Sequence, residues 1–451
     1  MTKKYEIDMT TGPLLGKILL FSLPLIFSGI LQLLYNAADI IVLGNFEGHQ
    51  ALAAVGSTSS MINLITNLFI GFSVGASVVV GRYLGAKRDN DVHETVHTAI
   101  LLACISGLFC TAVAIPFTPT LLSWMGSPDD VIDLASLYVR IYFIGAPASM
   151  LYNFGAGILR AAGDTQRPLF ILGISGALNI GLNLFFVLVV KIGVTGVAIA
   201  TVSSQVLSCI LVLLCLIRQK SSYQLNLKKL KIHKDKLKQI LVIGLPSGLQ
   251  GTVFSLSNVV IQASVNCFDS NAIAGSSASG NIEGFIWTAM NAISQTAVSF
   301  TSQNIGARKL DRLPKIYWQC LGVVLMIGLG MGIPTFFFSE QLIGIYNSDP
   351  EVIQFGVTRL HIIALTYFIC GCTDVHTGCL RGMGYSTSAM LISLLGVCGL
   401  RLLWIYTVFA QYRDWNVLFY SYPLSWIITL LASAIFYQIA LRRCRKKYAE
   451  P

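Results

Sequence analysis

Few side chains in this sequence can do chemistry, and most of those that can stand inside apolar runs. Asn36 and Asp39 sit one helical turn apart near the end of the first run, in QLLYNAADIIVLG. A carboxylate placed in hydrocarbon is expensive and is by default functional. Asn179 and Asn183 repeat the one-turn spacing in the fifth run, and Thr201 lies about two turns into the sixth. At roughly 1.5 Å of rise per residue, Asp39, Asn183 and Thr201 share one level of the outer leaflet. Equal depth permits contact among them; buried amides serve equally as glue between helices. In the second half Glu283 lies about 16 Å into the eighth run, near the midplane. Trp287, one turn below it, offers an aromatic face to a cation. The tenth run carries His361, Asp374 and His376, and the eleventh carries Arg401. A structural pair of Arg401 with Glu283 or Asp374 is the plain alternative to a site there. Arg140 and Arg359, each a couple of turns below the outer surface, are expected to snorkel or to bond carbonyls.

One motif points elsewhere. His93-Glu94-Thr95-Val96-His97 is a literal HExxH, in which two histidines one turn apart hold zinc while the glutamate activates water. It falls at the mouth of the third run, no third ligand stands near it, and its repeat mate around Pro314 to Gln319 has no histidine. The expectation is therefore no metal, no other cofactor and no enzyme.

The elements that must position these residues follow from composition. The chain has 451 residues, 54% hydrophobic and 12% charged, with a mean hydropathy of +0.69. That is too apolar for an ordinary soluble protein. Runs long enough to span a bilayer, about 20 residues each, occur at roughly 14–43, 52–80, 95–118, 131–157, 168–190, 193–217, 239–268, 272–300, 316–338, 352–378, 387–411 and 417–441. They are continuously apolar, so they read as twelve helices and not as barrel strands, which alternate. Pro24 interrupts the first run and invites a kink, a candidate hinge.

The runs repeat. Leu23-Pro24 returns as Leu245-Pro246, Gly85-Ala86-Lys87-Arg88 as Gly306-Ala307-Arg308-Lys309, and Leu159-Arg160 as Leu380-Arg381. The shifts are 245 − 23 = 222, 306 − 85 = 221 and 380 − 159 = 221. A tandem repeat in a membrane chain predicts two pseudo-symmetric six-helix bundles. The boundaries are 1–217 for the first bundle, 218–238 for a linker and 239–451 for the second. The linker holds eight Lys/Arg against one acid, Asp235.

A net charge of +10 raises the question of nucleic acid, and the positions of the charges answer it. The basic residues gather at both termini, in the linker and in turns on one side of the twelve-span arrangement, whereas only Lys191 and Arg413 lie in loops on the other. By the positive-inside rule the termini and linker are cytoplasmic, and the surplus favours anionic lipid. The eleven cysteines lie in spans or at their cytoplasmic ends, which argues against a disulfide framework. The first run is too long for a cleaved signal and is expected to remain.

The stretches LPLIFSGILQLLYNAADIIVLG and ALAAVGS, the GRYLGAKR and QNIGARK turns, and the LRAAGDT and LRGMG turns together resemble the multidrug and toxic compound extrusion (MATE) transporters of prokaryotic type. The resemblance implies two bundles around a V-shaped cavity and ion-coupled export of organic, often cationic, compounds through the plasma membrane, by a monomer. It also implies a coupling-cation site from a first-helix Asp, an Asn and an Asp on helix five, and a Thr on helix six. Here these positions are Asp39, Asn179, Asn183 and Thr201, with Asn183 replacing an acid, so H+ and Na+ both stay open as the coupling ion. A second branch of the family uses acids on helices seven and ten; Asp374 matches the latter, and Glu283 is the alternative for the missing one. Asn36 and Trp287 complete the expected substrate cavity. A lipid-linked precursor flippase of the same superfamily is the other transport reading, and a metalloenzyme through HETVH the third.

Overall fold

In a computed structural model of the chain, residues 5–46, 49–124 and 129–449 are described, and all regular structure among them is helical. The helices are α1 (Leu14–Phe46), α2 (His49–Gly85), α3 (Asp89–Trp124), α4 (Asp129–Ile144), α5 (Ala146–Ala161), α6 (Gln166–Leu184), α7 (Gly193–Ile217), α8 (Lys234–Val265), α9 (Ser270–Gly306), α10 (Leu313–Phe337), α11 (Ser339–Gly344), α12 (Pro350–Ile363), α13 (Tyr367–Met383), α14 (Ser386–Ser393), α15 (Leu400–Trp404) and α16 (Trp415–Ala449). Short π-helical segments extend α6 (Phe185–Val190) and flank α15 (Leu394–Gly399 and Ile405–Phe409).

Nine of these spans are long and apolar enough to cross a membrane alone, and two bent pairs, α4 with α5 and α12 with α13, make two more. The 37-residue α9 is long enough but too rich in Ser and Gly to qualify on hydropathy; counting it restores the expected twelve (9 + 2 + 1). The bends were not foreseen. In the first pair, bent by 48°, Pro147 has no N–H to give the Phe143 carbonyl, and the Thr111 hydroxyl supplies that bond at 2.6 Å. In the second pair, bent by 49°, no proline stands at the bend; the Thr366 hydroxyl bonds back to the carbonyls of Ile362 (2.9 Å) and Ile363 (3.1 Å).

The repeat is visible in the backbone. Lys87 and Arg308, 308 − 87 = 221 residues apart, both take left-handed φ, +56° and +54°. Gly163 and Gly384, again 221 apart, take +96° and +90°, a conformation in which glycine has no Cβ to pay for. A Cβ at Gly163 would also meet the Ile7 carbonyl oxygen at 2.4 Å.

Packing divides the chain into two compact units: residues 1–8 with 27–252, and residues 9–26 with 253–451. Helix α1 therefore changes unit at Phe27, just after Pro24, and α8 changes at Val253. The basic stretch is docked in the first unit. Tyr223 and Leu225 are buried, the His233 N–H donates to Thr98 Oγ1 at 3.1 Å, and α8 starts at Lys234, inside that stretch. Lys236, 4% exposed, donates to Asp91 Oδ1 at 2.5 Å and Tyr83 OH at 3.3 Å. It is thus an internal ion pair, while Lys228, Lys229 and Lys231 stay exposed.

Helices α2 and α8 meet backbone to backbone in the first unit. A Cβ at Gly248 would stand 2.1 Å from the Leu68 carbonyl oxygen, and one at Gly75 2.3 Å from that of Ile240. Close approach of this kind is what small residues provide in a membrane. Gly248→Ala is expected to destabilise the protein by about 1–3 kcal/mol through overpacking, lowering the thermal midpoint of the purified protein. Gly284→Ala, where nothing lies within 4 Å, should leave that midpoint unchanged or raise it.

Candidate functional site

In the first unit α1 delivers Asn36 and Asp39, α6 delivers Asn179 and Asn183, and α7 delivers Thr201. The i, i+3 and i, i+4 spacings put each pair on one helix face. The helices come close because Tyr35 of α1 packs against Gly176 of α6: any Cβ there would overlap the ring, at 1.8 Å from its Cζ. The Tyr35 hydroxyl donates to the Leu172 carbonyl at 3.2 Å.

Asp39 is 9% exposed, Asn179 5% and Asn183 fully buried. Asn183 Nδ2 donates to Asp39 Oδ1 and, at 3.3 Å, to Asn179 Oδ1. An amide nitrogen has two hydrogens and can serve both oxygens. Asn183 Oδ1 is buried and has no hydrogen-bond partner among the described residues. The Thr201 hydroxyl spends its hydrogen on the Val197 carbonyl at 3.0 Å and keeps its lone pairs available.

Asn36, Asp39, Asn179 and Thr201 line one cavity of about 260 Å³. Reasoning from the sequence did not include the further polar walls, among them Gln32, Tyr142, Asn153 and Gln205. Two of them carried a usable signal: Gln32 is one turn before Asn36, and Gln205 one turn after Thr201.

The second unit arranges its charges differently from expectation. Glu283, 6% exposed, accepts from Arg359 Nε and Nη2, both at 2.8 Å. Arg359 Nη1 completes the fork on Ser276, reaching its hydroxyl at 2.5 Å and its carbonyl at 3.2 Å. The Arg359 guanidinium lies 4.9 Å over the Phe419 ring. The partner of Glu283 is therefore Arg359 of α12 and not Arg401. The reason is register: Arg359 looks across from α12, which is packed tightly on α9, where Ser279 donates to the Gly356 carbonyl at 2.9 Å. Arg359 bonds a carbonyl, as expected of it, and a carboxylate as well. Trp287 is 45% exposed. Asp374 Oδ2 has no hydrogen-bond partner among the described residues, and its backbone carbonyl accepts from the Ser294 hydroxyl at 2.7 Å. No hydrogen bond joins Asp374 to Glu283. Pro24 lies within the single helix α1.

The HExxH residues are used structurally. His97 Nδ1 faces the His93 carbonyl at 2.6 Å, and Nε2 faces the Asn226 backbone, taking its N–H at 3.1 Å. With both ring nitrogens engaged, His97 has no lone pair left for a metal. Among the described residues no cluster of three His, Cys, Asp or Glu is arranged for metal binding.

Removing one partner of a buried ion pair costs about 3–5 kcal/mol, because the other charge is left unanswered. Arg359→Gln should accordingly lower the thermal midpoint sharply. The double variant Glu283→Gln with Arg359→Gln should recover most of the loss. Independent, additive losses would show that the two side chains do not act as a pair.

The family model described as MatE matches residues 24–185 and again 246–407, an offset of 246 − 24 = 222 that reproduces the repeat. The Probable multidrug resistance protein YoeA of Bacillus subtilis is 26% identical over 433 residues, 94% of this chain and 93% of that protein. A protein of Shewanella oneidensis named FAD transporter is 26% identical over 389 residues, 84% of this chain and 85% of its own. Among solved structures, an outward-facing MATE family transporter of the MOP superfamily superposes with a TM-score of 0.92 at 22% identity, covering 99% of this chain and 100% of that one.

Proposed function

Because the chain belongs to the MatE family of membrane transporters, we propose that it is an antiporter that exports organic, often cationic, compounds across the plasma membrane in exchange for protons bound at Asp39. The observation that carries this reading is Asp39, the one carboxylate among the residues that line this polar cavity, answered by an amide N–H.

Asn183 stands where resembling transporters often have a second acid, so the site holds one negative charge. The Asn183 N–H aimed at Asp39 Oδ1 occupies a direction from which a metal ion would otherwise approach. A proton needs only one carboxylate oxygen, and for that reason the proposal takes H+ over Na+. The cavity, about 260 Å³, falls just below the range of roughly 300–1,000 Å³ typical of drug-sized pockets. It suits the coupling ion and a few waters better than the whole body of a drug.

A singly charged site is neutral with either one proton or one organic cation, and each disfavours the other. Protonation of Asp39 therefore supplies the difference in affinity that a two-state exporter requires. Pro24, beside the point where α1 changes unit, is proposed as the hinge that responds. Family membership leaves the cargo open, since relatives include a protein named FAD transporter as well as proteins named for multidrug resistance. Both termini and the basic linker are proposed to be cytoplasmic, with exposed Lys228, Lys229 and Lys231 against anionic headgroups, and the protein is proposed to act as a monomer.

In vesicles, Asp39→Asn should cut proton-gradient-driven dye efflux at least tenfold while neutral dye still binds. A sodium gradient at fixed pH should drive no efflux in the parent protein. Normal efflux in Asp39→Asn would end the proposal, and sodium-driven efflux would replace the coupling ion. Pro24→Ala should leave dye affinity within about twofold yet slow transport severalfold, because it stiffens α1 without touching the carboxylate; an unchanged rate would remove the hinge.

A further inference from the structure

Arg359 and Arg401 both stand in the spans of the second unit, and their surroundings treat them differently. Arg359 is matched donor for acceptor by Glu283 and Ser276. Arg401 is 5% exposed and has no carboxylate partner among the described residues. Its Nε donates to Ser425 Oγ at 3.1 Å, and its Cζ lies 3.9 Å from the Tyr422 ring centre and 5.4 Å from that of Trp426. Nη1 and Nη2 bond to no described residue, and neither is fully sealed off.

A guanidinium is a fixed positive charge with five donors. Arg401 lies about 15 Å along the helix from the C-terminal end of its span near Gln411, too deep for its head to escape easily into water. Cation–π contacts offset only part of the cost of burying an unpaired ion. The Tyr422 ring packs against the guanidinium carbon and Ser425 takes Nε, which leaves the edge carrying Nη1 and Nη2. That edge is the fork that receives two oxygens of a carboxylate or a phosphate side by side. Arg401 stands on α15, a short α-helical piece between two π-helical segments, and such widened turns recur where a helix builds a functional site.

We propose that Arg401, held by Ser425 and backed by the Tyr422 and Trp426 rings, is an oxyanion-binding site inside the second unit that takes a carboxylate or phosphate group. On the exporter reading this group belongs to the cargo, so that compounds carrying an anionic group beside an aromatic body are transported as well as cations. Only that assignment to cargo rests on the exporter reading; binding itself does not.

The test measures binding without any gradient, so its failure is distinct from a failure of transport. The full chain in phosphatidylcholine nanodiscs is titrated with benzoate, methyl benzoate and inorganic phosphate. Benzoate and phosphate should bind, and methyl benzoate, alike in shape but uncharged, at least tenfold more weakly. Arg401→Gln should weaken benzoate at least tenfold, about 1.4 kcal/mol, and leave methyl benzoate unchanged. Arg401→Lys keeps the charge without the fork and should bind benzoate at an intermediate level, and it carries the test if Arg401→Gln does not fold. Equal binding of benzoate and its ester by the parent, or unchanged benzoate affinity in Arg401→Lys, overturns the proposal. Repeating the titration in phosphatidylglycerol nanodiscs identifies the source: loss of benzoate binding there assigns the site to a lipid phosphate, and unchanged binding assigns it to a soluble anion.

Discussion

A charge inside a bilayer has to be answered, by an opposite charge, by hydrogen bonds or by a ligand, because water is not there to do it. Glu283 and Asp39, two acids in the spans of this protein, meet that demand in different ways. Glu283 and Arg359 neutralise each other with a bidentate pair and a serine. Asp39 has no cation, only the Asn183 amide and a small polar cavity. The first arrangement fixes α9 to α12. The second leaves the carboxylate with room to exchange what neutralises it, as the proposed coupling requires.

The duplicated backbone shows how far such chemistry can diverge on one scaffold. The two halves share left-handed turns at Lys87 and Arg308 and at Gly163 and Gly384, and they share a bend in the fourth span of each half. Side-chain function is not shared. A shift of 221 or 222 carries Asp39 onto Val260 or Ile261, and neither can hold a proton. Even the common bend is made differently, by Pro147 relieved by Thr111 in one half and by Thr366 in the other. Backbone geometry is tied to packing of the whole bundle, whereas a single polar residue can change without disturbing that packing.

Small residues illustrate why composition and contact have to be read together. A helix as rich in Ser and Gly as α9 looks equally like a water-lined wall and a packing surface. In the second unit much of that content packs: a Cβ at Gly275 would strike the Val352 carbonyl oxygen at 2.6 Å, and one at Gly378 the Ser294 carbonyl oxygen at 2.5 Å. The basic linker teaches the converse. Its charge reads as a surface feature, yet Lys236 turns inward to Asp91 while its neighbours stay in solvent.

Length and hydropathy determine spans one by one, and an internal repeat is a property of the string itself, so the all-helical class, the twelve crossings and the duplication were legible in the sequence. Local spacing likewise brought Asn36 to Asp39 and Asn179 to Asn183, since one helical turn is a fixed distance. What joins different helices was decided only by tertiary structure. Equal depth permitted Asp39, Asn183 and Thr201 to meet, but rotation about each helix axis set the contact, and that rotation came from Tyr35 packing against Gly176. For the same reason Glu283 found Arg359 and Arg401 did not find an acid: depth along an axis is written in the residue number, and azimuth around it is set by the packing of every neighbouring helix.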